Sequence, residues 1–364
     1  MQKGTKIFLV ILVAIFVLGL FIKINRPFQN ANTIPEKSNI PQTSKWLLPE
    51  NFNGQPAWGI ENGVIISTWP GNLGGIAGGG PKGLFRIYKG GEKGLAWVNF
   101  ISIEPITQNS LTGFSELESI LFVPNNYNKT SNPEQIIDEK LPQSYENLAT
   151  ITKENGVEQL NILFGIENSY INGAHVYITA HIREDKPDEI EFRMYAQKDS
   201  TEIKKIRLSS TAGNFNHLRI LWLADKTLDA RDLYPNYKET GKRDFALWTD
   251  FKFGELAKSF DGSLIVATTR SEDDPGQFWN DYFTKYQITQ YWKKYPGSFD
   301  GDEFSSVNAK YVFWHNGEKI PGGVSYENFE LNSPIFEQGQ KVWFGATEKT
   351  PNQLGLKKFE STPN

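Results

Sequence analysis

Apolar side chains recur at every second position through most of the chain after residue 46, in short runs bounded by glycine, proline and asparagine. The runs at 174–182 and 189–196 show this clearly, and a two-residue period is that of a strand with one buried face. Similar runs, rich in β-branched and aromatic residues, lie at 63–69, 83–88, 95–104, 204–209, 218–223, 263–269, 309–315, 323–331 and 341–344. A helical period is confined to 250–259 and 275–286. Strands joined by turns in this way predict an all-β fold, a large antiparallel β-sandwich of the supersandwich type.

The first 26 residues have a different pattern. An unbroken apolar run from Ile7 to Ile22 follows Lys3 and Lys6. As a helix it would span roughly 24 Å, a little less than the ~30 Å hydrocarbon core of a bilayer. The run lacks the small-residue pattern of a cleavage site. We therefore expect 1–26 to be an uncleaved signal anchor that holds the body outside the cytoplasm. The alternative is a cleaved signal peptide and a secreted protein.

Composition limits the domain organisation and the class of partner. Residues 27–45 are rich in Asn, Pro, Ser and Thr, which predicts a flexible tether, and 46–364 read as one large β-sandwich domain. With 10 Trp, 14 Tyr and 25 Phe in the chain, the core can be large and aromatic. The absence of cysteine excludes disulfides and thiol chemistry. A net charge of −4 with both signs interspersed excludes a nucleic-acid-binding protein.

Carboxylates near strand ends are the first candidates for chemistry. Glu116 and Glu118 would lie on one strand face roughly 7 Å apart. Glu104, a reserve candidate, ends an apolar strand, where a buried carboxylate needs a partner. Carboxyl pairs about 5–10 Å apart catalyse glycosidic-bond hydrolysis. Such acids would also suit calcium, so a calcium ion is the one cofactor that the sequence leaves open. The alternative is a pair of solvated glutamates on an exposed face.

Two further acids are reserve candidates. Asp273 and Asp274 follow a strand and precede a short helix, which Asp274 is expected to cap. Asp273 has no such role and is taken as a site acid. Glu327 lies between Tyr326 and Asn328, which are expected to share the opposite strand face. Aromatic surroundings would raise the pKa of Glu327 towards a general-acid role, unless it is a charge on the outer face.

Aromatic residues suggest the type of ligand. Trp69, Trp279 and Trp292 lie in loop-like or tyrosine-rich segments, where they could stack on sugar rings. Tyr326 and Asn328 are further candidates for binding the substrate. The alternative is a tryptophan-rich core. His181 would bind substrate, or act with Tyr177 in β-elimination on a uronic acid. The histidines lack the spacing of a metal site, so no zinc or other histidine-bound metal is expected.

Three segments, 113–118, 208–223 and 321–330, resemble a family of exported bacterial proteins. That family is similar in layout to the β-supersandwich of galactose-mutarotase-like and polysaccharide-degrading enzymes. The resemblance spans the first, middle and last parts of the body. It implies a large β-sandwich and a carbohydrate ligand, and it transfers no catalytic residue.

We therefore predict an extracytoplasmic carbohydrate-active protein that hydrolyses a polysaccharide through paired carboxylates, a glycoside hydrolase. One alternative is a non-catalytic glycan-binding or cell-envelope structural protein. A further alternative is a polysaccharide lyase. Nothing in the sequence indicates an oligomeric state.

Overall fold

The computed structural model describes residues 44–52, 57–67, 85–92, 94–107, 149–165, 172–211, 213–235, 245–274, 287–313 and 317–357. The predicted anchor and most of the tether lie outside these ranges, and so do Trp69, Glu116, Glu118, Trp279 and the helix predicted at 275–286. Within the described ranges, no helix is long and apolar enough to cross a membrane.

The described chain folds into two antiparallel sheets packed face to face, so the all-β prediction is confirmed. The strands are β1 (Trp46–Leu47), β2 (Ala57–Ile60), β3 (Val64–Ser67), β4 (Phe85–Lys89), β5 (Ala96–Thr107), β6 (Ala149–Glu154), β7 (Val157–Gly165), β8 (Val176–Arg183), β9 (Glu189–Ala196), β10 (Ile203–Thr211), β11 (Ile220–Trp222), β12 (Thr227–Asp229), β13 (Thr249–Lys252), β14 (Ala257–Lys258), β15 (Leu264–Thr269), β16 (Thr289–Lys294), β17 (Phe304–Lys310), β18 (Ser325–Ser333) and β19 (Lys341–Thr347).

Helix is scarce in the described residues, as the period-two pattern requires. One α-helical turn, α1, spans Ala230–Leu233, with Asp229 accepting from the backbone of Arg231 at its N-terminus. The 3₁₀ turns are Pro49–Phe52, Gly213–Asn216, Phe253–Glu255 and Pro351–Leu354.

Each of the two sheets is a continuous antiparallel series of strands. Sheet A has the order β1-β2-β3-β4-β5-β10-β18-β17-β13. Sheet B has the order β12-β11-β15-β16-β19-β9-β8-β7-β6, with β14 also paired to β15. One cluster of buried apolar side chains draws on both sheets and forms the core between them. Smaller apolar clusters lie on the outer face of each sheet.

The helix predicted at 250–259 is wrong, and the sheets explain why. Strand β13 belongs to sheet A and β14 to sheet B, with a 3₁₀ turn between them. Phe251, Leu256 and Ala257 are all buried. Phe253, Leu256 and Ala257 have the i, i+3, i+4 spacing of one apolar helical face, but this spacing arises because the chain crosses from one sheet to the other.

A β-bulge changes the orientation predicted for the return strand of the 309–331 hairpin. Asn308 pairs with Asn328 and Ala309 with Tyr326, so Glu327 is the extra residue. A bulge reverses the inward-outward alternation at one position. Tyr326 therefore points into the core and Asn328 to the outer face, and the prediction that they share a face is wrong.

Candidate functional site

The outer face of sheet A is polar over several adjacent strands. Leu208 and Leu331 face the core, so their neighbours along β10 and β18 point outward. Cross-strand pairing arranges these outward side chains in three rows: Phe100, Thr211, Asn328 and Asn308; Ser102, Ser209, Glu330, Ser306 and Asp250; Glu104, Arg207 and Asn332. We call the side chains of these rows, without Phe100, the polar face.

Two carboxylates of the polar face converge on one guanidinium. Arg207 Nη1 lies 3.5 Å from Glu104 Oε2, and its Nε lies 3.6 Å from Glu330 Oε2. Ser102 donates its hydroxyl to Glu104 at 2.7 Å, and Ser209 donates to Glu330 at 3.1 Å. Glu104 is 0% exposed and Glu330 5% exposed. Because a buried carboxylate is costly, two of them at one position mark this part of the sheet as a candidate site.

Glu330 has an unusual protonation equilibrium. Burial raises its pKa to about 7, and this outweighs the opposing effects of the Arg207 charge and the Ser209 hydrogen bond. A carboxyl group with a pKa near 7 can hold a proton at neutral pH and release it to a substrate. Glu330 therefore has the property required of a general acid.

The distance between the two carboxylates leaves room for a substrate bond between them. Their strands flank β10, and Glu330 lies opposite Ser209, two residues from Arg207. Both side chains reach the same guanidinium, which keeps the carboxylates less than about 10 Å apart. Glycosidases use about 5–5.5 Å for retention and about 6.5–9.5 Å for inversion. The pair is compatible with this chemistry.

Hydrogen-bonded amides and hydroxyls continue the polar face towards β13. Asn332 donates to Ser306 at 3.3 Å, and Ser306 donates to Asp250 at 2.7 Å. Asp250 is exposed, whereas Ser306 is buried. Trp248, just before β13, is half exposed. The polar face therefore runs from a buried carboxylate pair to an open edge with an accessible aromatic ring.

The polar face borders an aromatic cluster towards β4. Trp97 packs edge-on against Phe100 at 4.5 Å, and Phe215 stacks on Phe313 at 5.3 Å. Arg86 lies over both Trp97 and Phe100, 5.9 and 5.5 Å from their ring centres. These rings are buried, so they support the sheet surface instead of presenting a free stacking face.

A second buried charge cluster lies where the chain leaves β10 for sheet B. His217 Nδ1 lies 3.1 Å from Asp274, and Arg219 Nη1 lies 2.6 Å from the same carboxylate. His217 adopts φ +50°, which is unusual for a residue other than glycine. Burial lowers its pKa, and Asp274 opposes that shift. The cluster holds a strained backbone in place and links the two sheets.

Asp273, a predicted site acid, lies on the surface. It makes a two-pronged ion pair with Arg231, at 2.8 and 2.9 Å, and remains mostly exposed. That pairing lowers its pKa. Asp274, predicted only to cap a helix, is the buried acid of the two.

Two predicted ligand-binding aromatics belong to the core. Trp292 is fully buried between the sheets and packs edge-on against Phe344 at 5.0 Å. Tyr326 is also fully buried, and its hydroxyl donates to the Leu228 carbonyl at 3.2 Å. Asn328 lies on the polar face and donates to Asn308 at 2.8 Å. Glu327 is buried at the bulge next to it.

Trp292→Phe should therefore act on stability alone. Replacing indole by phenyl leaves a small void in a close-packed interior. We expect the free energy of unfolding to fall by about 1–3 kcal/mol, measured by urea denaturation. Glycan affinity should stay unchanged, and a loss of affinity without a loss of stability would contradict the core assignment.

His181 is held by its neighbours, and among the described residues it does not lie beside another predicted site residue. In one tautomer its Nδ1 donates to Asn161 Oδ1 at 2.7 Å while Thr179 donates to Nε2 at 2.9 Å. Burial lowers its pKa to about 3. Such a histidine is a weak base, and it lies on sheet B, away from the carboxylate pair.

Similarity to known proteins does not identify the reaction at this site. No protein-family model matches the chain, and no curated protein matches it. Among the described residues, no group of three or more His, Asp or Glu side chains is placed to hold a metal ion. The site must therefore be interpreted from its own residues.

Glu330 and Arg207 were missed by sequence reasoning, although a signal exists. Along β18, Asn328, Glu330 and Asn332 alternate with Phe329 and Leu331. Alternation of this kind is also typical of an ordinary solvent-exposed strand face. Similar alternation of Ser and charged residues occurs in β5 and β10, but only the pairing register shows that the polar positions of all three strands are adjacent.

Proposed function

We propose that this protein is an extracytoplasmic carbohydrate-active enzyme that hydrolyses glycosidic bonds at the polar face of sheet A. The observation that carries the proposal is the pair of buried carboxylates, Glu104 and Glu330, on one arginine. The two-sheet architecture supports a layout similar to the galactose-mutarotase-like supersandwich. The apolar segment 1–26 supports attachment to a membrane, with the body outside the cytoplasm.

Each residue of the pair has a distinct role in this mechanism. Glu330 donates its proton to the leaving glycosidic oxygen, because its raised pKa keeps it protonated near neutrality. Glu104 supplies the carboxylate that acts as base or nucleophile on the other side of the sugar. Arg207 lies between them and balances the negative charge that develops on Glu330 when its proton leaves.

The remaining polar side chains orient the sugar. Asn328 and Asn332 offer amide groups, and Ser306 offers a hydroxyl, in rows beside the carboxylates. Amides both donate and accept hydrogen bonds, as sugar hydroxyls do. Trp248 at the open edge provides an aromatic surface for a neighbouring sugar ring. Glu116, Glu118, Trp69 and Trp279 stay predictions as further contributors.

A non-catalytic glycan-binding protein is the second candidate, and the accessible Trp248 beside polar amides favours it. In that case the carboxylates would accept sugar hydroxyls without transferring a proton. The lyase alternative receives less support, because the weakly basic His181 is poorly suited to remove a proton.

The test is to incubate the detergent-solubilised full-length chain with a panel of polysaccharides. New reducing ends without ultraviolet absorbance from an unsaturated uronate would support hydrolysis. Both signals together would indicate a lyase. Retention on a glycan affinity gel without either signal would favour the binding protein, and no activity or retention with any glycan would contradict both.

The buried acid also predicts a pH-dependent stability. The Glu330 pKa is raised from 4.5 to about 7. Between these values the folded chain keeps the proton and the unfolded chain releases it, so rising pH favours unfolding. Urea denaturation should show that the free energy of unfolding falls by on the order of 3 kcal/mol between pH 4.5 and about 7 because of Glu330. In Glu330→Gln the free energy of unfolding should no longer show this part of its fall with rising pH. An unchanged pH dependence in the variant would contradict the raised pKa of Glu330.

A further inference from the structure

A cavity of about 270 Å³ lies on the outer face of sheet B, on the opposite side of the molecule from the polar face. Its walls come from β16, the β8–β9 turn, the β14–β15 turn and the segment after β19. The volume is close to the lower end of small-ligand sites, which begin at about 300 Å³.

Glu189 organises the floor of this cavity. It accepts the Tyr291 hydroxyl at 2.9 Å, the Tyr295 hydroxyl at 2.8 Å and the Lys293 ammonium at 3.2 Å. The Tyr291 ring lies against Gly345, where an added Cβ would come within 2.0 Å of it. These contacts hold the polar groups in defined positions before any ligand arrives.

The cavity offers both hydrogen-bond acceptors and donors. Asp188 accepts from Lys89 at 2.8 Å and from Thr347 at 2.6 Å, which uses about half of the roughly four acceptor positions of a carboxylate. Lys186 donates to Tyr295 at 2.6 Å and keeps further N–H groups. Lys349 is exposed at the rim. Because both signs of charge line the wall, neither a cationic nor an anionic ligand is favoured over a neutral one.

Phe260 supplies an accessible aromatic surface at the edge of the cavity. Its side chain is 82% exposed. Its backbone is nevertheless fixed, since its N–H donates to the Leu354 carbonyl at 3.2 Å and Gly355 packs against it. Exposing a phenyl ring to water is unfavourable in free energy. A ring on a fixed backbone is suited to stacking against a flat apolar surface.

We propose that this cavity is a second, non-catalytic site that binds one neutral sugar residue. The apolar face of the sugar ring packs on Phe260, and its hydroxyls bond to the spare positions of Asp188 and Lys186. The proposal is independent of hydrolysis at the polar face. It would give the protein a second point of attachment to the same or another glycan chain.

The test uses the methyl glycosides of glucose, galactose, mannose and xylose with the full-length chain. Binding is followed by nuclear magnetic resonance titration. We expect saturable binding of at least one sugar with a Kd on the order of millimolar, because a single sugar buries little surface. Phe260→Ala should weaken it by roughly tenfold or more. Ile335→Ala, another exposed apolar residue, is the matched control and should leave it unchanged.

The same titration in Trp248→Ala separates the two sites, because Trp248 is the exposed ring proposed to bind sugar beside the polar face. Binding at the cavity should persist in that variant. Loss of binding in Trp248→Ala, equal affinity in Phe260→Ala, or no saturable binding of any of the four sugars would each overturn the proposal. Failure of the cavity proposal would leave the hydrolysis assay unaffected.

Discussion

Glu330→Gln should reduce kcat by roughly 10²–10⁴-fold on any polysaccharide that the wild-type chain hydrolyses. The change removes the proton donor and keeps nearly the same shape and volume. Glycan affinity should be retained, because the amide still accepts from Ser209. The wild-type rate should also fall as pH rises through about 7, since Glu330 then loses its proton.

The control for this experiment is Glu337→Gln. Glu337 lies on the exposed surface after β18 and should be replaceable without effect. At neutral pH the Glu330 variant should unfold at a urea concentration no lower than the wild type, which separates lost chemistry from lost folding. A variant that kept the wild-type rate would rule out Glu330 as the acid and return attention to Glu116 and Glu118.

Asp274→Ala should lower the free energy of unfolding by about 3–5 kcal/mol. The carboxylate is only 6% exposed, and it neutralises the Arg219 guanidinium at 2.6 Å. Arg219 is itself fully buried, and its guanidinium also donates to the carbonyl oxygens of Val324, Pro321 and Gly323. Removing Asp274 would leave that charge without a buried counter-ion. The measurement is urea denaturation followed by intrinsic fluorescence.

Asp273→Ala is the matched control, one residue away in the chain. Asp273 is two-thirds exposed and pairs with Arg231 at the surface. Exposed ion pairs contribute about 0–1 kcal/mol, so this variant should be close to the wild type. Equal losses in the two variants would contradict the assignment of Asp274 as the buried partner of Arg219.

Asp273, the predicted site acid, is exposed, whereas Asp274, predicted to cap a helix, is buried. A local sequence pattern does not show this difference. The sequence places both acids after a strand and before a proline, which favours a capping role for Asp274, and the helix that it would cap lies outside the described residues. What the pattern does not contain is that His217 and Arg219, from the β10–β11 connection, approach the same position. A buried ion pair depends on a partner that is distant in sequence.

The tryptophans illustrate the same limit. Composition correctly indicated a chain that can build a large aromatic core, and the core contains Trp58 and Trp292. Composition does not say which tryptophan is exposed. Trp292 lies in a tyrosine-rich run, yet it faces inward because Tyr291 and Lys293 occupy the outer positions of β16.

The sequence by itself determined the strand content and the all-β class, because side-chain alternation is a local property of an extended backbone. It also determined the absence of disulfides. Only the tertiary structure decided which strands are neighbours, where a bulge reverses the alternation, and how Glu104 and Glu330 reach Arg207. Pairing register is set by contacts between strands far apart in the chain, and a shift of one residue would turn every polar side chain of a strand to the other face.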